Sequence, residues 1–136
     1  LSGNKIAIIE EGAFVGNIRL EFLNLQENLI EKIDENAFTT LTSLTILYLH
    51  QNKIADLPEK IFQPCQLLME IRLDDNNLTA VHKHLFWFNK KLKMINLMGN
   101  PLETFDAYYL NEETELLYIG EFLLNLFDRI NVIIKI

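Results

Sequence analysis

The histidine and carboxylate side chains of this sequence are the first candidates for chemistry. His50 precedes Asp74 by 24 residues, and Asp75 follows directly. A histidine beside a carboxylate can form a pH-sensitive ion pair, and a second carboxylate would add a third potential metal ligand. Three such groups on a flat surface do not close a coordination sphere. We therefore expect an exposed ion pair of modest strength between His50 and Asp74, and no metal site.

The single thiol and the remaining histidines point to structural roles. Cys65 occupies the position that Leu41 occupies 24 residues earlier, so we expect it to be a small buried apolar residue. A catalytic thiol would need access to solvent and an activating neighbour. His82 and His84 are predicted to lie on a solvated loop. The sequence has no Gly-x-Gly phosphate loop and no nucleophile motif. It therefore predicts no enzyme, no catalytic residue and no cofactor.

Composition argues against a membrane-spanning protein, a nucleic-acid-binding protein and a disulfide-rich protein. The 136 residues suffice for one domain with a small appendage, and no run of about 18 apolar residues predicts insertion into a membrane. The net charge of −7 disfavours nucleic acid as a partner, and one cysteine excludes an internal disulfide framework. The charge is uneven: residues 1–100 carry 10 basic and 12 acidic side chains, and residues 101–136 carry 2 and 7.

The elements that must position these side chains follow a 24-residue repeat. Asparagine recurs at this interval, and so does an apolar frame such as Leu44, Leu47 and Leu49 before it and Ile54 after it. The repeated asparagines are Asn4, Asn28, Asn52, Asn76 and Asn100. Phenylalanine recurs at the same interval, at Phe14, Phe38, Phe62 and Phe86. A period of this length indicates a solenoid in which each repeat leans on its neighbours.

The physical role of the frame can be derived from its residue types. The segments EFLNL, TILYL, MEIRL and KMINL alternate apolar and variable residues, as half-buried strands do. Stacking them in parallel would place equivalent residues about 5 Å apart. Where each strand turns, an asparagine side chain offers both a donor and an acceptor to buried backbone groups. The sequence thus predicts a structural ladder of the five asparagines and a phenylalanine column on the convex side.

This pattern resembles the leucine-rich repeat family. The segment LTILYLHQNKIADLPEKIF fits the family form L-x-x-L-x-L-x-x-N-x-L-x-x-L-x-x-x-x-F, and the likeness covers residues 1–105, with the first repeat partial. The resemblance implies an α/β-type solenoid, with short parallel strands on the concave face and loops or short helical turns on the convex face. Its 24-residue subclass is common in animal extracellular proteins.

In such a fold the variable strand residues form three columns on the concave face. The first column is Phe22, Ile46, Glu70 and Met94; the second is Asn24, Tyr48, Arg72 and Asn96; the third is Gln26, His50, Asp74 and Met98. Aromatic, methionine and arginine residues among polar ones are enriched in protein-binding surfaces. We expect these twelve residues to bind a protein ligand.

Two alternatives remain for residues 106–136. In a divergent 25-residue repeat, frame positions are taken by Leu117, Phe122, Asn125, Phe127 and Ile130, with Gly120 in an apolar slot. In a C-terminal cap, a helix would bury Leu116, Ile119, Leu123, Leu126 and Ile130. At the other end, we expect more solenoid or a cap before Leu1. Without it, the face of Ile6, Ile9 and Phe14 would be partly exposed and open to self-association.

Two further local features bear on function. Asn77-Leu78-Thr79 is the one N-glycosylation sequon in the sequence, and it follows the ladder residue Asn76. Trp87 and Phe88 follow Phe86, and Asn89 takes the slot used by Leu41. We expect Phe88 to turn inward and fill that slot; the alternative is a convex aromatic patch beside the lysines at 90, 91 and 93.

The sequence therefore predicts a protein-binding module that recognises its ligand through the concave sheet. The resemblance suggests part of an animal secreted protein or receptor ectodomain, in recognition, adhesion or innate immunity. The alternatives are a structural scaffold and an intracellular adaptor. Localisation is correspondingly extracellular or at the cell surface, with the cytoplasm as the alternative.

Overall fold

Five short parallel strands form one sheet in the computed structural model, which describes residues 1–105 and 116–118. Their order in the sheet is β2 (Phe22–Asn24), β4 (Ile46–Tyr48), β5 (Glu70–Arg72), β7 (Met94–Asn96) and β9 (Leu116–Tyr118). Two smaller parallel sheets pair β1 (Ile8–Ile9) with β3 (Lys32–Ile33), and β6 (Ala80–Val81) with β8 (Thr104–Phe105). The predicted repeat solenoid is confirmed.

Strand register follows the 24-residue period. Leu23 lies beside Leu47, Leu47 beside Ile71, and Ile71 beside Ile95. These central residues are buried, whereas the residues on either side of each are exposed or half-buried. The alternation that predicts half-buried strands is therefore the alternation observed, and it turns one face of every strand outward.

The core is continuous from repeat to repeat. Leucine and isoleucine frame residues such as Leu44, Leu47 and Leu68 have no exposed surface. The phenylalanines pack ring against ring, with centroids 5.9 Å apart for Phe14 and Phe38, 6.1 Å for Phe38 and Phe62, and 5.8 Å for Phe62 and Phe86. Turns make up the convex side, and no helix occurs within the described ranges. The backbone turns by bonds such as that from the Leu41 N–H to the Phe38 carbonyl, at 3.0 Å.

Asparagine side chains join each repeat to the one before it. The Asn52 amide donates to the carbonyls of Leu49 at 2.9 Å and of Leu25, one repeat back, at 3.0 Å. Its oxygen accepts the N–H of Ile30 at 3.0 Å. The same bonds recur at Asn28, Asn76 and Asn100. One side chain thus satisfies three buried backbone groups that the turn leaves without sheet partners.

The two smaller sheets, β1–β3 and β6–β8, form a second line of strands, and a proline interrupts this line. The Asp34 N–H donates to the Ile9 carbonyl at 2.9 Å beside the β1–β3 pair. Pro58 occupies the equivalent position one repeat later and has no N–H to donate. No strand is present at residues 56–57, between β3 and β6. This explains why the second line consists of two separate sheets while the concave sheet is continuous.

Every repeat has a left-handed residue just before its ladder asparagine. This left-handed column consists of Gly3, Glu27, Gln51, Asp75 and Gly99, with φ between 54° and 67°. Glycine is needed at the last of these, because a β-carbon there would lie 2.2 Å from the Asp75 carboxylate oxygen Oδ1. Because the backbone reverses here, the side chains of Glu27, Gln51 and Asp75 lie exposed at the strand ends.

Both ends of the solenoid correct expectations from the sequence. Ile6 is partly exposed, as expected, but Ile9 and Phe14 are only 3% and 7% exposed, because pairing with β3 and stacking on Phe38 cover them. The exposed apolar residues of the first repeat are instead Leu1, Ile8, Val15 and Ile18.

At the C-terminal end, the 25-residue alignment is wrong at β9. Leu117 lies beside Ile95, 22 residues earlier, where that alignment places Gly120. Leu116–Tyr118 is a strand, so the alternative of a helix that includes Leu116 is also wrong there. The remaining frame positions of both alternatives lie outside the described residues.

Asn89 itself fills the slot that we expected Phe88 to enter. Its side chain is 1% exposed and donates to the carbonyls of Phe62 at 2.9 Å and Cys65 at 2.8 Å. Phe88 remains half-buried. An amide can occupy an apolar slot here because the carbonyls of the preceding turn point into it.

Replacing Asn52 with alanine should lower the free energy of unfolding by about 2–4 kcal/mol, because three buried backbone groups lose their partner. Asn4→Ala is the matched control: Asn4 has the same repeat position but is exposed and bonds only the carbonyls of Leu1 and Ser2. It should cost less than about 1 kcal/mol. Urea unfolding followed by circular dichroism measures both, and equal losses would contradict the ladder as the main link between repeats.

Candidate interaction surface

The concave sheet brings the three columns together in the expected order. Phe22 lies beside Ile46, Ile46 beside Glu70, and Glu70 beside Met94. The second column is in register in the same way, from Asn24 to Asn96. The third column follows the strand ends: Gln26 is half-buried and Met98 is 37% exposed, whereas His50 and Asp74 are buried between them. These residues form one surface rather than scattered positions.

The strand-start side of this surface is mainly apolar, with Glu70 and Lys93 beside its apolar side chains. Phe22 is 49% exposed and meets the Tyr48 ring edge-on at 5.3 Å between centroids. Ile46 and Met94 are half-buried and line a shallow depression of about 270 Å³. Met69, 39% exposed, completes its apolar wall. The depression could accept one apolar side chain of a ligand.

A polar network occupies the middle of the surface. The Tyr48 hydroxyl donates to Glu70 Oε1 at 2.8 Å. Arg72 donates to both carboxylate oxygens of Asp74, from Nε at 3.0 Å and from Nη2 at 2.6 Å, and its guanidinium lies 5.7 Å from the Tyr48 ring centroid. The bidentate pair fixes the Arg72 side chain and satisfies its charge within the surface.

The network also shifts two pKa values. The hydrogen bond to Glu70, with burial and the carboxylate charge, raises the pKa of the Tyr48 hydroxyl above its usual value. The hydrogen bond to Asp74 raises the pKa of the Arg72 guanidinium. Both side chains are hydrogen-bond donors at physiological pH, and the raised pKa values reflect the carboxylates that they bond.

His50 does not form the expected ion pair with Asp74. Asp74 is taken by Arg72, and His50 is only 5% exposed, with its ring 5.6 Å from that of Tyr48. Its Nδ1 atom is buried without a hydrogen-bond partner among the described residues. Burial, and then the nearby Arg72 charge, lower the pKa of His50. The neutral imidazole is therefore the form that fits the folded surface.

Asn24 and Asn96 hold the strand ends. The Asn24 side-chain oxygen accepts the Gln26 N–H at 3.0 Å, and the Asn96 oxygen accepts the Met98 N–H at 3.1 Å. The Asn24 amide also donates to the Gln26 side chain at 3.2 Å. Both asparagines thus orient the third column and present partly used amides to a ligand.

The other candidate residues lie away from this surface. Cys65 has no exposed surface, and burial raises the pKa of its thiol to about 12, so it is a core residue as expected. His82 and His84 lie on a loop, as expected; His82 is exposed and His84 is half-buried. His82 lies 3.6 Å from an Asp56 oxygen and His84 contacts Glu59, so both bridge to the preceding repeat. The described residues contain no group of three or more side chains suited to a metal ion.

Sequence reasoning missed three residues at the border of the surface. Met69 precedes its strand, and Glu27 and Asp75 follow theirs in the left-handed column. The alternation of strand residues does not include these positions, so the pattern gave no reason to place them on the face. The available signal for Glu27 and Asp75 was their spacing: with Gln51, they recur every 24 residues as the columns do.

Comparison with known proteins shows which family this chain resembles. A family model described as leucine rich repeat matches residues 1–54 and 42–102. No curated protein sequence matches the chain significantly. Among solved structures, the LRIM1/APL1C complex is similar with 26% identity over 86% of this chain and a TM-score of 0.81. The Toll–Spatzle complex, described as a hub in Drosophila development and innate immunity, has 28% identity over 87% and a TM-score of 0.78.

A complex of TLR13 with single-stranded RNA is also similar, with 25% identity over 88% of this chain and a TM-score of 0.79. The chain spans only 22, 16 and 18% of the LRIM1/APL1C, Toll and TLR13 chains that it matches. Within the described residues, no helix has the length and apolarity needed to cross a membrane.

Acid should destabilise the protein partly through His50. Because the folded-state pKa of His50 is lowered, the unfolded chain takes up the proton first, and stability falls as pH drops below about 6.5. His50→Gln should make the free energy of unfolding less dependent on pH between 7 and 5. His82→Gln, which replaces a half-exposed histidine, is the control. Urea unfolding at each pH measures the slopes, and unchanged slopes in His50→Gln would contradict the role of the buried imidazole.

Proposed function

Because this chain belongs to the leucine-rich repeat family of protein-interaction modules, we propose that it recognises a protein ligand through its concave sheet. The observation that carries the proposal is the contact between exposed Phe22, Tyr48 and the Arg72–Asp74 pair. Aromatic and arginine side chains dominate the binding energy of protein interfaces, most of all when they are held rigid before binding. The hydrogen bonds to Glu70 and Asp74 supply that rigidity.

A protein ligand is favoured over RNA by the charge of the surface. Phosphate backbones are bound through several unpaired Lys or Arg side chains. The three columns contain one basic residue, Arg72, and it is paired with Asp74. The net charge of −7 adds a repulsive term for any polyanion.

We also propose an extracellular location, which the relatives and Asn77 support. The chains of similar structure include Toll from the Toll–Spatzle complex, a molecular hub in Drosophila development and innate immunity. The sequon residues Asn77 and Thr79 are both exposed. The Asn77 backbone N–H is bonded to the Ile54 carbonyl at 2.9 Å, so the side chain projects from an ordered turn. A glycan on this turn would lie outside the three columns and would leave the proposed face open.

A structural role is the second candidate. The first repeat exposes four apolar side chains, Leu1, Ile8, Val15 and Ile18, between 55 and 72%. Side chains at this edge would be covered if another repeat stacked against them. A stacking role uses the edge and leaves the concave columns unoccupied, so the two candidates predict different binding sites.

Tyr48→Ala should weaken, by about tenfold or more, most binders selected from a random display library against the folded protein. Tyr48 lies at the centre of the surface, and loss of a central aromatic side chain typically costs about 2 kcal/mol or more. Surface plasmon resonance of each selected binder against wild type and variant measures the loss. Circular dichroism verifies that the variant is folded.

Val15→Ala is the matched control, because Val15 is an exposed apolar residue on a convex turn. It should change these affinities by less than about twofold. Binders that lose affinity with Val15→Ala and keep it with Tyr48→Ala would reject the concave face and favour the stacking edge.

Expression in a secretory animal cell line should add one N-linked glycan at Asn77. Asn77→Gln and Thr79→Ala should each remove it, because either change destroys the sequon. Asn36→Gln, an exposed asparagine outside any sequon, should leave the glycan in place. Intact mass before and after enzymatic deglycosylation is the measurement, and a chain without any mass shift would remove this support for an extracellular location.

A further inference from the structure

The concave face is polarised from one edge of its strands to the other. Apolar side chains, namely Phe22, Ile46, Met69 and Met94, lie at the strand starts. Carboxylates lie at the strand ends, in the third column and in the left-handed column beside it. They are Asp74, Asp75 and Glu27. Met98 is the one exposed apolar side chain of the third column.

The carboxylates form one electrostatic field rather than separate charges. The strand ends of neighbouring repeats are bonded side by side: the Glu27 N–H donates to the His50 carbonyl at 3.2 Å, and the Gln51 N–H donates to the Asp74 carbonyl at 3.0 Å. Glu27 is further tied to the third column, because Gln26 donates to its Oε1 at 3.0 Å. Glu27 and Asp75 are exposed, so their charges face a ligand directly.

The basic side chains do not cancel this field. Across the three columns and the left-handed column from Glu27 to Gly99, four carboxylates stand against one guanidinium, a formal balance of −3. The Arg72 charge is directed to Asp74 by a bidentate bond. Lys93 lies on the opposite, strand-start side, where it lines the apolar depression. Glu70, the fourth carboxylate, also lines that depression, so the carboxylates left without a basic neighbour on this face are Glu27 and Asp75 at the strand ends.

We propose that the ligand of this face is an amphipathic protein segment whose apolar side chains pack on the strand starts and whose Lys or Arg side chains meet Glu27 and Asp75. The inference rests on the proposed function, and it adds the chemistry and orientation of the partner. Such a segment would run across the strands, along the columns. The depression beside Met69 would take one of its apolar side chains, and charge complementarity would fix its direction.

Two synthetic 14-residue peptides test the charge preference. Both carry the same leucine pattern, and their polar positions are all Lys in one peptide and all Glu in the other. The Lys peptide should bind at least about tenfold more tightly in 50 mM salt, and this advantage should shrink at 500 mM salt. Isothermal titration with the full chain measures affinity. Methyl NMR shifts of Ile46, Met94 and Met98 locate the site.

Charge-matched variants separate this face from the overall acidity of the chain. Glu27→Gln with Asp75→Asn should reduce affinity for the Lys peptide about five- to tenfold, because both changes remove strand-end charges. Glu11→Gln with Glu35→Gln removes the same number of exposed charges from other turns and should change affinity less than about twofold. Equal effects of the two double variants, or equal affinity for the two peptides, would overturn the proposal.

The remaining outcomes distinguish this inference from the proposed function. Lys-peptide shifts at the concave methyls with no loss in Glu27→Gln/Asp75→Asn would overturn the charge preference and leave concave binding intact. Shifts confined to convex methyls would overturn both. Self-association of the chain without peptide, abolished by Glu27→Gln/Asp75→Asn in sedimentation, would assign the face to a second copy and would also overturn the proposal.

Discussion

The asparagine ladder is the interaction on which the structure depends. Each turn from strand to loop buries backbone groups that no sheet can satisfy, and one side chain such as Asn52 bonds three of them. Two of those three groups belong to the preceding repeat. The ladder therefore places each repeat directly beside the preceding one, with equivalent residues side by side. The strand register and the stacked phenylalanines have the same 24-residue step. A repeat that broke the step would lose hydrogen bonds and core contacts together.

This constraint leaves the concave side chains free to vary. The ladder and the core lie on the inner side of the strands, and the backbone bonds lie between them, so none of the three depends on which side chains stand at Phe22, Tyr48 or Arg72. Their geometry is nevertheless fixed, because the sheet holds their backbones in register. The chain thus combines a rigid frame with a surface whose composition can be set by a ligand. That is the combination that lowers the entropic cost of binding.

The period of the sequence predicted the frame because each frame residue has one physical task and repeats it. It predicted the three columns for the same reason. It could not predict how neighbouring polar groups would pair: Asp74 has both His50 and Arg72 within reach, and the bidentate geometry of arginine decides the choice. The period also could not predict the effect of a single residue that departs from the repeat. Asn89 occupies a leucine slot because it bonds a backbone carbonyl there. Pro58 removes a backbone N–H at a position where the equivalent residue donates one. The apolar pattern contains no information on either backbone group.

The choice of partner for Asp74 has a consequence for the whole face. Had Asp74 paired with His50, Arg72 would stand unpaired at the centre and the surface would present a positive charge there. Because Arg72 is satisfied internally, the charges left to act on a ligand are the exposed carboxylates Glu27 and Asp75. This pairing leaves the formal balance of −3 unchanged, but it decides where on the face the unpaired charges lie. Burial, and then the charge of the guanidinium beside it, lower the pKa of His50 and favour its neutral form.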